Sequence, residues 1–243
     1  MKVFVTTQMR SGSTWLCDLL ATLLNNSWAF LERGDKIKPQ RFRQIVNRNH
    51  SKVYKMHWTH PNTICSVIPK GNKQNFVISI TRDVKDIAIS MIMYLRYDPV
   101  VSTSPRLSSI YQARKDFKSQ NLNDKDYINL FIKTHPYFKG IVDSWKSYND
   151  GYTHPNYKLI NYEDLIKRPM ITFKSITDFL GINIGAQKIK NILGKNSFQV
   201  KTSRRPGRGD NTAFRRIGIV GDHKNYLNQE SLDIIEKMLE NEN

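Results

Sequence analysis

Apolar and polar positions along the chain switch repeatedly between a period of two and a period near 3.6 residues. Residues 3–7 (VFVTT) are β-branched or aromatic and predict a buried first strand. Ser11, Ser13 and Thr14 then offer N-caps to a helix in which Leu16, Leu19, Leu20, Leu23 and Leu24 recur at i, i+3 and i+4. Residues 52–58 (KVYKMHW) alternate as a short strand does. Residues 75–83 (NFVISITRD) form a more continuous apolar run ending in charge, the pattern of a central parallel strand, and 84–97 follow with helical periodicity. A long helical region over 124–148 breaks near Pro136, and 157–165 (YKLINYEDL) predict a strand and a turn. Residues 169–182 predict a helix with Pro169 near its first position and Gly181 near its C-cap. Residues 98–110 and 199–212, rich in Ser, Pro, Gly and Arg, read as loops or lids.

Strands that alternate with helices imply a parallel sheet with right-handed crossovers. The expected fold class is α/β: one domain over residues 1–243, with a central, mostly parallel β-sheet flanked by helices. A chain of 243 residues is long enough to bury such a core.

Charge alters the picture more than composition does. With 38 Lys and Arg against 21 Asp and Glu, the chain carries a formal charge of +17, which favours anionic partners without choosing among them. Cys17 and Cys65 do not make a disulfide framework or a metal site, and no stretch approaches the ~20 apolar residues of a membrane span. The expectation is a cytoplasmic protein that needs no metal.

The stretch after the first strand, TTQMRSGSTW (6–15), carries the first chemistry. Backbone N–H groups at a helix start bind anions, Gly12 lets the backbone approach closely, and Ser11, Ser13 and Thr14 add hydroxyls. The loop is P-loop-like, yet it is not a Walker loop. Aligned on Gly12, the lysine slot holds Ser13, the first glycine slot holds Thr7, and the cation has moved to Arg10. Arg82 closes the third strand and Ser90 lies eight residues on, a pairing suited to a second phosphate. FRRIGIVGDHKNYL (214–227) offers a further anion-wrapping loop, and Lys55 and His57 stand two apart at the end of their strand.

Taken in order, these pieces resemble the nucleotide-dependent sulfotransferase family, which moves a sulfuryl group from 3′-phosphoadenylyl sulfate (PAPS) to a hydroxyl or amine. The resemblance runs from residue 3 to about 227. It implies that Ser11, Gly12, Ser13 and Thr14 bind the 5′-phosphate. It places Arg10, where the family usually has lysine, beside the bridging oxygen and the sulfuryl group. Arg82 and Ser90, with Arg216 and the backbone near Gly218, would hold the 3′-phosphate, while Trp15 and Tyr162 match positions that contact adenine. Lys55 would stabilise the transferring group and His57 would be the general base; the product nucleotide would be adenosine 3′,5′-bisphosphate (PAP). His60 is a rival base, and Ile217 and His223 stand where relatives often have Lys and Trp.

Two other classes compete. A P-loop kinase or NTPase is disfavoured by Ser13 in the lysine slot, and a basic nucleic-acid-binding protein by the lack of any recognition signature. The acceptor, a small-molecule or saccharide hydroxyl that the charge would favour as acidic, is not named by the sequence. Oligomeric state and the role of the basic loop around Arg204, Arg205 and Arg208 stay open as well.

Overall fold

In the computed structural model, residues 1–31, 39–47, 52–57, 59–97, 121–211, 213 and 215–240 are described. They group into two compact units: Met1–Arg82 with Ser147–Ser203, and Asp83–Lys146 with the segment from Arg204 onward.

The first unit holds the whole sheet. Its strands are β1 (Lys2–Thr6), β2 (Trp28–Phe30), β3 (Lys52–Met56), β4 (Asn75–Thr81) and β5 (Tyr157–Asn161). Their order is β2-β3-β1-β4-β5, and every pairing is parallel, so the expected mostly parallel sheet is wholly parallel among the described residues. β1 is central and β4 interior, as their unbroken apolar runs require.

Helix α1 (Ser13–Leu23) buries Leu16, Leu19, Leu20 and Leu23, the stripe its spacing predicted, and Cys17 sits among them. α2 (Pro39–Val46) and α3 (Pro61–Cys65) bring Phe42, Ile45 and Ile64 into a cluster with Phe4, Tyr54, Met56 and Val77. There the Phe4 and Tyr54 rings stack at 5.4 Å between neighbouring strands.

The second unit is helical: α4 (Val84–Tyr97), α5 (Asp124–Thr134), α6 (Tyr137–Tyr148, whose last two residues belong to the first unit), a 3-10 turn at Asp222–Asn225 and α11 (Gln229–Glu240). The break near Pro136 falls between α5 and α6, and Asn123 caps α5 by accepting from the Asp126 amide at 2.9 Å.

The first unit closes with α7 (Tyr162–Lys167), α8 (Pro169–Phe179), α9 (Ala186–Lys195) and α10 (Phe198–Thr202). Two local expectations change. The predicted turn after β5 is the helix α7, started by Asn161, whose side chain accepts from the Glu163 amide at 2.8 Å. The predicted loop over 199–212 begins as α10, capped by Ser197. The other predicted loop, 98–110, lies outside the described residues.

Candidate active site

A parallel sheet presents all its strand C-termini on one edge, and ligands bind there in this fold class. Four of the predicted segments follow strands at that edge of the first unit: the loop 7–12 follows β1, His57 follows β3, Arg82 follows β4 and Tyr162 follows β5.

The loop owes its shape to two left-handed residues, Arg10 (φ 69°) and Gly12 (φ 98°). A non-glycine residue in that region is strained, and such strain gathers at binding sites. Gly12 is the N-cap of α1, and no side chain caps the helix. The sequence offered three hydroxyls as caps, but two of them are used otherwise and the third, that of Ser13, does not cap the helix. Ser11 Oγ donates to the Gln8 carbonyl at 2.7 Å and also pairs with the Thr7 hydroxyl, while the Thr14 hydroxyl receives Lys55 Nζ at 2.5 Å. No side chain therefore caps the positive end of α1, the arrangement by which a helix start can receive an anion.

Gly12 has a second constraint. A Cβ on it would lie 2.5 and 2.8 Å from two ring carbons of Tyr162. The same ring has a cation and a second aromatic beside it: the Arg82 guanidinium lies 4.7 Å from its centroid, and Trp15 meets it edge-on at 6.1 Å. We therefore expect Gly12→Ala to destabilise the fold by about 1–3 kcal/mol, from backbone strain and displacement of Tyr162. Thermal unfolding checks this; an unchanged melting temperature would contradict the tight packing.

Lys55 is 2% exposed. Its ammonium lies 5.4 Å from the Trp28 ring centroid and 5.1 Å from that of Phe30, so two aromatic faces and Thr14 surround the cation. Phe30 also packs against the His57 ring at 5.4 Å and is itself 47% exposed. Sequence reading missed Trp28 and Phe30, because β2 has only three residues and no alternation to reveal it.

His57 Nδ1 lies 3.2 Å from the Thr7 carbonyl. A carbonyl only accepts, so a hydrogen bond here puts the hydrogen on Nδ1 and makes Nε2 the basic nitrogen. The Tyr148 hydroxyl donates to the His57 carbonyl at 3.1 Å and holds the segment from the other side. Burial and then the Lys55 charge push the His57 pKa down from 6.5 to about 3; the Thr7 bond pulls it up, and the Arg10 charge adds the smallest downward push. A depressed histidine pKa means the unfolded chain binds the proton that folded His57 refuses. Stability should accordingly fall as pH drops from 6.5 towards 3, and the free protein should keep His57 neutral through most of that window. Proton NMR titration of its ring checks this, and a midpoint at the ordinary histidine value would contradict it.

His60, the rival base, has both nitrogens engaged. Nδ1 accepts from the Asn62 amide at 3.4 Å as the cap of α3, and Nε2 bonds the Ser147 carbonyl with Asp150 3.5 Å away.

In the second unit, Ser90 is buried on α4, and Gly218 has φ 68°. Arg216 is 5% exposed; its Nη2 pairs with Asp222, while Nε and Nη1 find no hydrogen-bond partner among the described residues. Arg204, read from sequence as part of a basic loop of open role, braces this segment. Its guanidinium donates to the Arg216 carbonyl at 2.9 Å and the Arg215 carbonyl at 2.5 Å. Among the described residues no cluster of His, Cys, Asp or Glu is arranged to hold a metal, and no helix is long and apolar enough to cross a membrane.

The model of the sulfotransferase domain matches residues 1–242. The chain belongs to the sulfotransferase family. As a sulfotransferase it is an enzyme of sulfuryl transfer. It is 23% identical to flavonol 3-sulfotransferase of Flaveria bidentis over 98% of this chain and 80% of that one. Sulfotransferase 1B1 of Canis lupus familiaris is 22% identical over 97% and 82%. Among solved structures, mouse sulfotransferase SULT7A1 complexed with PAP superposes with a TM-score of 0.67 at 20% identity, covering 98% of this chain and 82% of that one. Retinol dehydratase in complex with androsterone and PAP gives 0.63 at 17% identity, over 98% and 79%. At such identities the likeness is one of fold.

Proposed function

We propose that this sulfotransferase moves the sulfuryl group of PAPS to a hydroxyl acceptor by in-line transfer, with His57 as general base. The observation that carries the reading is His57 Nδ1 3.2 Å from the Thr7 carbonyl, with the buried Lys55 cation bonded to Thr14 in a first turn of α1 that no side chain caps. His57 Nε2 takes the acceptor's proton as the acceptor oxygen forms its bond to sulfur. The bond from sulfur to the 5′-phosphate oxygen breaks, and PAP leaves. Charge spreads over the equatorial oxygens in such a transfer, so positioned cations and helix amides carry the catalysis. Lys55 and Arg10 supply the cations and the amides of Gly12–Thr14 supply the phosphate site, a set that would work without a metal ion.

Arg82, Ser90, Arg216 and the backbone near Gly218 are assigned to the 3′-phosphate, and Trp15 and Tyr162 to adenine. The buried Arg216, with two nitrogens unengaged among the described residues, supports the first assignment, and the Trp15–Tyr162–Arg82 cluster supports the second. The base is His57 and not His60, whose two nitrogens are held by backbone. Phe30 adds an aromatic face beside the base, with Trp28 packed on Phe30, and the +17 charge would draw an acidic small-molecule or saccharide acceptor. Two buried free cysteines fit a cytoplasmic, reducing location, and the match over 1–242 fits one working domain over residues 1–243.

Thermal unfolding with added nucleotide tests the donor half of this reading. PAP should raise the melting temperature, and ATP with magnesium should raise it less. No shift with PAP would overturn the assignment of the loop.

A further inference from the structure

The notable polar cluster outside the proposed reaction centre lies in the second unit, around a carboxylate that the sequence places in the first turn of an ordinary helix. Asp86 of α4 has a side chain with no exposed surface. Its Oδ2 accepts from the Gly221 amide at 2.8 Å, and its Oδ1 accepts from the His223 amide at 3.0 Å and from His223 Nδ1 at 2.9 Å. A buried carboxylate is costly unless its oxygens are satisfied, and here a single loop satisfies them from three donors. Gly221 makes the arrangement possible, because its φ of 80° turns the chain so that amides on both sides of Asp222 face one carboxyl group.

What the clasp holds is Asp222. That residue is 1% exposed, its Oδ1 accepts from Asn225 Nδ2 at 3.0 Å, and its Oδ2 pairs with Arg216 Nη2. Asp86 and His223 thus fix the backbone on either side of the carboxylate that sets the direction of Arg216. Arg204 holds the backbone of Arg216 itself. His223, which replaces the aromatic residue that the family resemblance leads one to expect there, supplies the third donor in this chain.

We infer that Asp86 and His223 are positioning residues that aim Arg216 at the donor's 3′-phosphate, so that they set nucleotide selectivity without touching the nucleotide. The inference rests on the sulfotransferase reading above. A buried contact that only stabilised the fold would weaken all nucleotides alike, whereas a contact that aims one guanidinium weakens only those bearing the phosphate it meets.

The test is isothermal titration of the full chain with PAP and with adenosine 5′-monophosphate, which lacks the 3′-phosphate. Wild-type protein should bind PAP more tightly than the monophosphate. Asp86→Asn should weaken PAP about tenfold and leave the monophosphate within about twofold. His223→Ala, which spares the carboxylate and its two amides, should reduce the same ratio by about threefold, and it decides the matter if Asp86→Asn does not fold. The double variant should lose less than the product of the two single losses. Equal weakening of both nucleotides, or an unchanged ratio in His223→Ala, would overturn the inference. A wild-type protein without any preference for PAP would overturn the 3′-phosphate assignment beneath it, a result distinguishable because it needs no variant.

Discussion

His57→Ala is expected to lower turnover by about 10²–10⁴-fold, the range for losing a positioned general base, while PAP binding stays within about twofold. The split follows from where the ring sits. Its Nδ1 lies 3.2 Å from the Thr7 carbonyl, which only accepts, so Nε2 is the ring's basic nitrogen. The ring's bond to Thr7 is one of several supports of the loop 7–12, which Gly12, the Thr7–Ser11 pair and Ser11's bond to Gln8 also hold. Single-turnover kinetics with saturating PAPS, alongside titration with PAP, separates the two effects. Loss of PAP binding with turnover retained would show that the base and binding roles had been exchanged.

Lys55→Met should reduce turnover by about 10²–10³-fold, the cost of removing one preorganised charge from a transferring anionic group. The same change should leave the melting temperature unchanged or raise it. Lys55 is a nearly fully buried cation whose partners include the Thr14 hydroxyl and two aromatic faces, and methionine fills that slot beside Trp28 and Phe30 without a charge to desolvate. A residue that mattered only for folding would lose stability and activity together. Thermal unfolding and turnover measured on one preparation distinguish the cases, and a large drop in melting temperature would assign Lys55 to the scaffold.

The sheet was legible because its strands carry their own signal. Residues 3–7, 52–58, 75–83 and 157–165 are apolar or alternating runs long enough to stand alone; the last three each contain an observed strand, and the first overlaps β1, which starts one residue earlier at Lys2. β2 was not, since Trp28–Phe30 becomes a strand only by pairing with Val53–Lys55. Its aromatic residues therefore entered the site unseen. The turn from β1 into α1 was legible from residue types at fixed spacing, but the use of its hydroxyls was not. Ser11 and Thr14 look like caps in sequence and serve instead as internal partners of Gln8, Thr7 and Lys55.

The same limit explains Asp86 and Tyr148. An acid in a helix's first turn is the usual surface arrangement, and nothing local tells that Asp86 faces an inward loop 135 residues later in the chain. Tyr148 ends an amphipathic helix, and its hydroxyl meets the His57 carbonyl 91 residues away. Contacts of that separation are set by topology. His60 and His57, three apart and alike in sequence, become distinguishable only when the first is seen capping α3 and the second bonded to Thr7.

The central claim is that this chain moves a sulfuryl group from PAPS with His57 as base. Incubation with PAPS carrying radiolabelled sulfur and a panel of hydroxyl acceptors, in parallel for wild type and His57→Ala, measures it directly. Label should pass from PAPS to at least one acceptor with wild type and, over the same interval, not detectably with the variant. Equal transfer by both proteins would contradict the account.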